Sequence, residues 1–88
     1  MNDPYEKLRE QLALQEWPNV YLFKFIAPSD SKIVAEVTAL FDDGTDLKLT
    51  NSKTGKYVAV SAKEMMLDVE SIIDKYKKVA TMKGVIAL

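Results

Sequence analysis

The sequence predicts an α+β fold: a four-stranded antiparallel sheet with two helices on one face, preceded by an extra helix. Three observations carry this. Stretches of period two alternate with stretches of period 3.6 in the order β-α-β-β-α-β. A hairpin signal, NSKTGKYVAVSA over Asn51–Ala62, joins the second and third strands. In front of them, Asp3-Pro4-Tyr5-Glu6 has the form of a helix start.

The leading helix comes first. Asp3 is the expected cap, Pro4 suits the first helical position, and Glu6 stands three residues after the cap. Tyr5, Leu8 and Leu12 give a narrow apolar stripe, which places this helix, ending near Gln15, at the edge of the domain. Trp17-Pro18 stops it, because a residue before proline avoids the α region. Asn19–Ala27 is the first strand, with Tyr21, Phe23 and Phe25 toward the core and Leu22, Lys24 and Ile26 on the other face. Aromatics lined up on the inward face are read as packing rather than ligand stacking.

One of Ser29, Asp30 and Ser31 caps the next helix, whose stripe is Ile33, Val34, Val37, Leu40 and Phe41. Asp42-Asp43-Gly44 ends it, with Gly44 as a left-handed C-cap. Thr45–Asn51 is the second strand: Leu47 and Leu49 point inward, while Asp46, Lys48 and Thr50 point outward, as suits an edge. After a type I turn at Lys53-Thr54 the chain needs a positive φ, and Gly55 stands there. The third strand, Lys56–Ala62, has Val58, Val60 and Ala62 in the core phase and Tyr57, Ala59 and Ser61 in the other.

Lys63–Met66 is expected to connect, with Met65 and Met66 as core cover. A helix from about Leu67 to Val79 follows, with the stripe Val69, Ile72, Ile73, Tyr76 and Val79. Asp68 and Glu70 fall in its first turn and Lys75, Lys77 and Lys78 near its last, as the helix dipole favours. Gly84–Leu88 is the final strand. The order is that of a ferredoxin-like βαββαβ sandwich, strand order 4-1-3-2. It forms one domain over residues 1–88, with the N-terminal helix within 1–16 and the core within 17–88.

Composition narrows the function classes. The 88 residues contain no Cys and no His, so thiolate ligation, disulfides and the commonest general base are all missing. Twelve basic side chains against thirteen acidic ones lack the basic excess usual in a dedicated nucleic-acid binder. No apolar run reaches the roughly 20 residues of a membrane span, and the charged N-terminus lacks a signal-peptide core, so the expected location is the cytoplasm.

Candidate chemistry is sparse. Asp42, Asp43 and Asp46 surround Gly44, but their spacing fails the calcium-loop pattern, and a solvated turn accounts for them. Ser61, Ser71 and Thr38 have no histidine base. No cofactor or metal is expected, and the chain is read as non-enzymatic. Lys48, Lys53, Lys56 and Lys63 make the hairpin and its flanks basic around Tyr57. That is the basis of an alternative, RNA binding by phosphate contacts with one stacked base. RNA-binding sheets of this type carry two or three aromatics on the open face, and here only Tyr57 is placed there.

YLFKFIAP in the first strand, NSKTGKYVAVSA at the hairpin, VESIIDKY in the last helix and GVIAL at the end together resemble the YbeD-like family of small bacterial proteins. The resemblance runs from about Tyr5 to the C-terminus, and its most telling parts are Ser52-Lys53, Gly55 and Tyr57 in the hairpin and the short apolar strand at the extreme C-terminus. It implies a fold similar to ACT regulatory domains, which bind small effectors at domain interfaces, and a regulatory role that for some members has been suggested to lie near lipoate metabolism. The amino-acid-binding ACT pattern has a glycine in the loop after the first strand. Ala27-Pro28-Ser29-Asp30-Ser31 has none, so a small-molecule effector of that kind has no support in these residues.

The function expected is therefore a small regulatory or protein-interaction module, acting through its open sheet face or strand edges on a protein partner or a second copy of the chain. By phase, that face carries Leu22, Lys24, Ile26, Lys48, Thr50, Tyr57, Ala59, Ser61, Val85 and Ala87. The candidate partner-binding residues are Lys24, Lys48, Lys56, Tyr57, Ala59, Ser61 and Val85, with Tyr57 as the anchor.

Overall fold

A computed structural model describes residues 3–88. The chain runs α1 (Glu6–Ala13), β1 (Asn19–Pro28), α2 (Ser31–Thr38), β2 (Asp46–Asn51), β3 (Tyr57–Met66), α3 (Val69–Ala80) and β4 (Ile86–Ala87). The fold is α+β, with one four-stranded sheet in the order β2-β3-β1-β4 and every neighbouring pair antiparallel. In this sheet α2 rests on β1 and β3, and α3 rests on β3 and β4.

The core lies between these helices and the face that carries Phe23, Phe25, Ala27, Val58, Val60 and Ala62. Phe23 and Phe25 are fully buried, as the phase of β1 requires. Their rings meet Phe41 and Tyr76 at centroid distances of 5.4–6.3 Å, within the range where aromatic pairs attract beyond simple area burial. The hydroxyls of Tyr21 and Tyr76 share a 2.8 Å hydrogen bond at the margin of this cluster. Burial, then the bond to Tyr21, raises the Tyr76 phenol pKa above its ordinary value, so it stays protonated.

Several elements differ from expectation, each for a local reason. α1 starts at Glu6 rather than Pro4, with the Asp3 carboxylate accepting from the Tyr5 N–H at 2.9 Å. The first two residues of the expected 1–16 segment lie outside the described residues. α1 packs against α3, where Arg9 pairs with Asp3 and with Glu70, the latter at 2.8 Å. Leu12 enters the core, and its carbonyl accepts from the Trp17 indole N–H.

Asp30 is the cap of α2, accepting from the Lys32 N–H at 2.9 Å. That helix ends at Thr38, well short of Gly44, and Gly44 has no positive φ. The last carbonyls of α2 are met by tighter backbone turns instead: the Leu40 N–H donates to the Val37 carbonyl at 3.2 Å and the Phe41 N–H to the Thr38 carbonyl at 3.1 Å. Just beyond, the Lys75 ammonium donates to the Leu40 carbonyl at 2.6 Å and sits 5.0 Å from the Phe41 ring centre.

β3 runs on through Lys63–Met66, which was expected to connect, because β1 pairs with it along all of Asn19–Pro28. Met66 is therefore core, whereas Met65 alternates to the exposed face. α3 begins at Val69, and Asp68 is its cap, accepting from both the N–H and the hydroxyl of Ser71. Those two bonds hold the Asp68 carboxyl below the usual carboxylate range.

Leu47 and Leu49 do occupy the helix side of the sheet, opposite Ala62 and Val60. They are not buried, being 36% and 52% exposed, because α2 packs chiefly over β1 and β3. β4 is reduced to two residues. It sets Ile86 opposite Ile26 and Ala87 opposite Phe25, one step out of the expected phase.

Candidate functional site

Register fixes what the other face of the sheet presents, since residues directly opposite in an antiparallel pair share a face. Lys48, Ser61 and Lys24 form one row across β2, β3 and β1. Beside it runs a row of Thr50, Ala59, Ile26 and Ile86, and then Tyr57 with Pro28. On the opposite side of the lysine row lie Asp46, Lys63 and Leu22, then Met65 with Val20. No helix rests on this face among the described residues, since α1 has gone to α3.

The face is thus two apolar zones divided by a polar row. In one, Tyr57, Ile26, Ala59 and Thr50 line a shallow depression with Asn51 and Ser52. Tyr57 is 49% exposed and Ile86 56%. In the other, Leu22 is 54% exposed and stands with Val20 and Met65. A second depression, lined by Leu22, Asp46, Lys48, Ser61 and Lys63, lies between the zones. Each zone thus gathers several large apolar side chains on one open face instead of exposing them singly.

Charge is distributed unevenly. The strands of this face carry Lys24, Lys48 and Lys63 against the single carboxylate Asp46, and the hairpin tip adds Lys53 and Lys56. The rest of the chain holds seven basic and twelve acidic side chains, so this face and its hairpin concentrate positive charge on a chain that is otherwise acidic. The tip is rigidly placed. Gly55 adopts φ +73°, its N–H donates to the Ser52 carbonyl at 3.0 Å, and the Ser52 hydroxyl accepts from the Tyr57 N–H at 3.1 Å. Those bonds hold Tyr57 at the start of β3.

Of the candidate residues, the structure brings together Lys24, Lys48, Tyr57, Ala59 and Ser61 on this face. Lys56 lies in the turn before β3, exposed at the tip rather than within the face. Val85 is a correction. It packs against the core on the helix side, as does the phase of Ala87, and Ile86 takes the open face instead. The reason is the hydrogen bond from the Leu88 N–H to the Lys24 carbonyl, 2.9 Å, which sets the register of the last strand.

Sequence reasoning did not place Val20, Lys63, Met65 or Ile86 on this face, although it named Lys63 among the basic residues around the hairpin. For Lys63 and Met65 the signal was present, since both continue the alternation of Tyr57, Ala59 and Ser61. Nothing local marks Ile86. On the helix side, Glu64 falls in the core phase, where it accepts from the Thr45 hydroxyl and pairs with Lys75 at 3.7 Å. Among the described residues no three acidic side chains converge as cation ligands, and Asp42, Asp43 and Asp46 remain a turn and a strand start. Nor is any described helix long and apolar enough to cross a membrane.

A family model described as "Protein of unknown function (DUF493)" matches residues 13–88, which takes in every element of the sheet and the two helices on it. α1 lies outside that match apart from its last residue. In the other two comparisons, no curated protein and no solved structure matches the chain.

Proposed function

The chain belongs to this family of proteins of unknown function, and from that premise we propose that it is a non-enzymatic interaction module whose open sheet face docks a protein partner with an apolar centre and acidic surroundings. The observation that carries this reading is the uncovered face itself, with Leu22, Tyr57, Ile86 and their neighbours exposed around the Lys48–Ser61–Lys24 row. Large apolar patches on a monomer tend to mark interfaces, and a tyrosine at half exposure suits an anchor. The lysines select the partner by charge, raising the encounter rate with acidic surfaces. A second copy docking by the same face would meet the same lysines, which weighs against it.

The ferredoxin-like reading goes with this proposal. It is supported by the strand order and by α2 and α3 on one face, and the YbeD-like and ACT-like resemblance adds a regulatory role exercised through binding rather than chemistry. We place the protein in the cytoplasm on the same reading.

The test is capture from the native cell with a tagged chain, its products identified by mass spectrometry. One acidic protein should be retained by the native chain, lost with Tyr57→Ala and weakened as salt rises. Retention unchanged by Tyr57→Ala and by salt would overturn the proposal. Retention of RNA with a steep salt dependence would favour the nucleic-acid alternative instead.

A further inference from the structure

A different surface carries an independent inference, the outer edge of β2. Every residue of Asp46–Asn51 is exposed, and among the described residues β2 pairs only with β3. Natural edges are guarded by charges, bulges or a covering helix. Here the charges, Asp46 and Lys48, both sit on the open face, and α2 packs chiefly on β1 and β3 and leaves Leu47 and Leu49 exposed. The helix side of this edge is left with Leu47 and Leu49, large apolar side chains in a phase the sequence had marked for burial.

The hairpin fixes which backbone groups look outward. The Ser52 N–H donates to the Tyr57 carbonyl at 2.9 Å, directly after the Asn51↔Val58 pair. In an antiparallel pair, alternate residues turn both backbone groups to the same neighbour. Ser52 thus aligns Thr50, Lys48 and Asp46 toward β3, and it leaves the N–H and C=O of Asn51, Leu49 and Leu47 on the outer edge. The residues with free backbone groups are the same ones whose side chains lie on the apolar helix side.

We propose that β2 pairs antiparallel with β2 of a second copy about a two-fold axis at Leu49, joining the two sheets edge to edge. In this register Leu47 faces Asn51 of the copy and Leu49 faces Leu49, so all three outward residues exchange both hydrogen bonds. The two Leu49 side chains close on each other beneath the sheet, in the space α2 leaves. On the open face Lys48 meets Thr50, and no like charges stand opposite. The alternative centre at Leu47 would pair Lys48 with Asp46, but it needs Thr45 opposite Leu49. The Thr45 N–H is already committed to the Asp42 carbonyl at 2.9 Å, and exposed ion pairs contribute little. A contact this short falls below the about 1,200 Å² of standard-size interfaces, so the dimer is reversible and forms at high concentration.

The chain has no cysteine, which makes the test unambiguous. Across a hydrogen-bonded antiparallel pair the Cα atoms stand about 5.5 Å apart, inside the roughly 4.4–6.8 Å that a disulfide spans. Leu49→Cys should therefore give a covalent dimer under mild oxidation at least about tenfold faster than Leu47→Cys, whose copies lie roughly 13 Å apart along the strands. Sedimentation equilibrium should show the native chain dimerising toward millimolar concentration. Leu49→Lys should abolish this with an unchanged folded circular dichroism spectrum, and Tyr57→Ala should leave it intact. A strict monomer throughout, equal or faster linkage at Leu47→Cys, or loss of the dimer with Tyr57→Ala would overturn the proposal. Partner capture at the open face reads a separate surface, so failure of one leaves the other standing.

Discussion

Gly84 is the glycine the fold can least replace. It adopts φ +78°, and a Cβ there would lie 2.9 Å from Pro28 Cγ and 3.6 Å from Cδ. Pro28 closes β1 opposite Tyr57, so its ring has little freedom to withdraw. Alanine in the left-handed region costs about 1–2 kcal/mol, and crowding of this kind adds about 1–2 kcal/mol more. Gly84→Ala should therefore destabilise by about 2–4 kcal/mol, a large part of the about 5–15 kcal/mol that holds a domain together. Gly55→Ala is the matched control. Its φ is +73°, but nothing lies within 4 Å of the added carbon, so only the conformational cost of about 1–2 kcal/mol applies. Gly44→Ala has neither penalty and should be neutral, or stabilise by up to about 1 kcal/mol through the unfolded chain. Urea unfolding followed by circular dichroism would rank the three at constant m. If Gly84→Ala costs no more than Gly55→Ala, the contact with Pro28 does not constrain the approach to β4, and the reasoning fails.

Asp68→Ala should lower the thermal midpoint and fray the start of α3, whereas Asp68→Asn, which keeps an acceptor, should retain most of the stability. The carboxyls of Asp68, Asp3 and Glu70 all have lowered folded-state pKa values, from the Ser71 bonds, the Tyr5 N–H with Arg9, and Arg9 respectively. Their contribution is present above the unfolded value of about 4 and lost as pH falls through the lowered folded values. Melting scans should accordingly be flat near neutrality and decline in acid, less steeply in Asp68→Ala. Tyr76→Phe should cost about 0.5–1.5 kcal/mol by breaking the bond to Tyr21. In the double variant with Tyr21→Phe the loss should be less than the sum of the single ones, and simple additivity would show the bond to be of no consequence.

Local signals were legible where local physics decides. The turn at Gly55 follows from φ alone, the choice of Phe23 and Phe25 as core follows from period two, and the stripe of α3 put Ile72, Ile73 and Val79 inside. What the sequence hid was coverage and register. Phase told which side Leu47 and Leu49 occupy, but only the length of α2 tells whether anything lies over them. Glu64 masked the continuation of β3, since a carboxylate in the core phase looks like a break unless Lys75 and Thr45 are known to meet it. Val85 was misplaced because β4 is too short to show a period, and its face is set by Phe25 and Ile26 across the sheet. Alternation thus sufficed to put Lys24, Lys48, Tyr57, Ala59 and Ser61 on one face, as the strand pairings have them, and fell short at the margins of that face.

The central claim is that this protein works through the bare face of its sheet. Photo-crosslinking inside the native cell tests it most directly, with a photoreactive residue placed singly at Leu22 or Tyr57 on that face and at Lys32 or Lys78 on the helices. All four positions are exposed. The account predicts one shared protein adduct from Leu22 and Tyr57 and none of that mass from Lys32 or Lys78. Adducts arising only from the helix positions, with the sheet face silent, would contradict it.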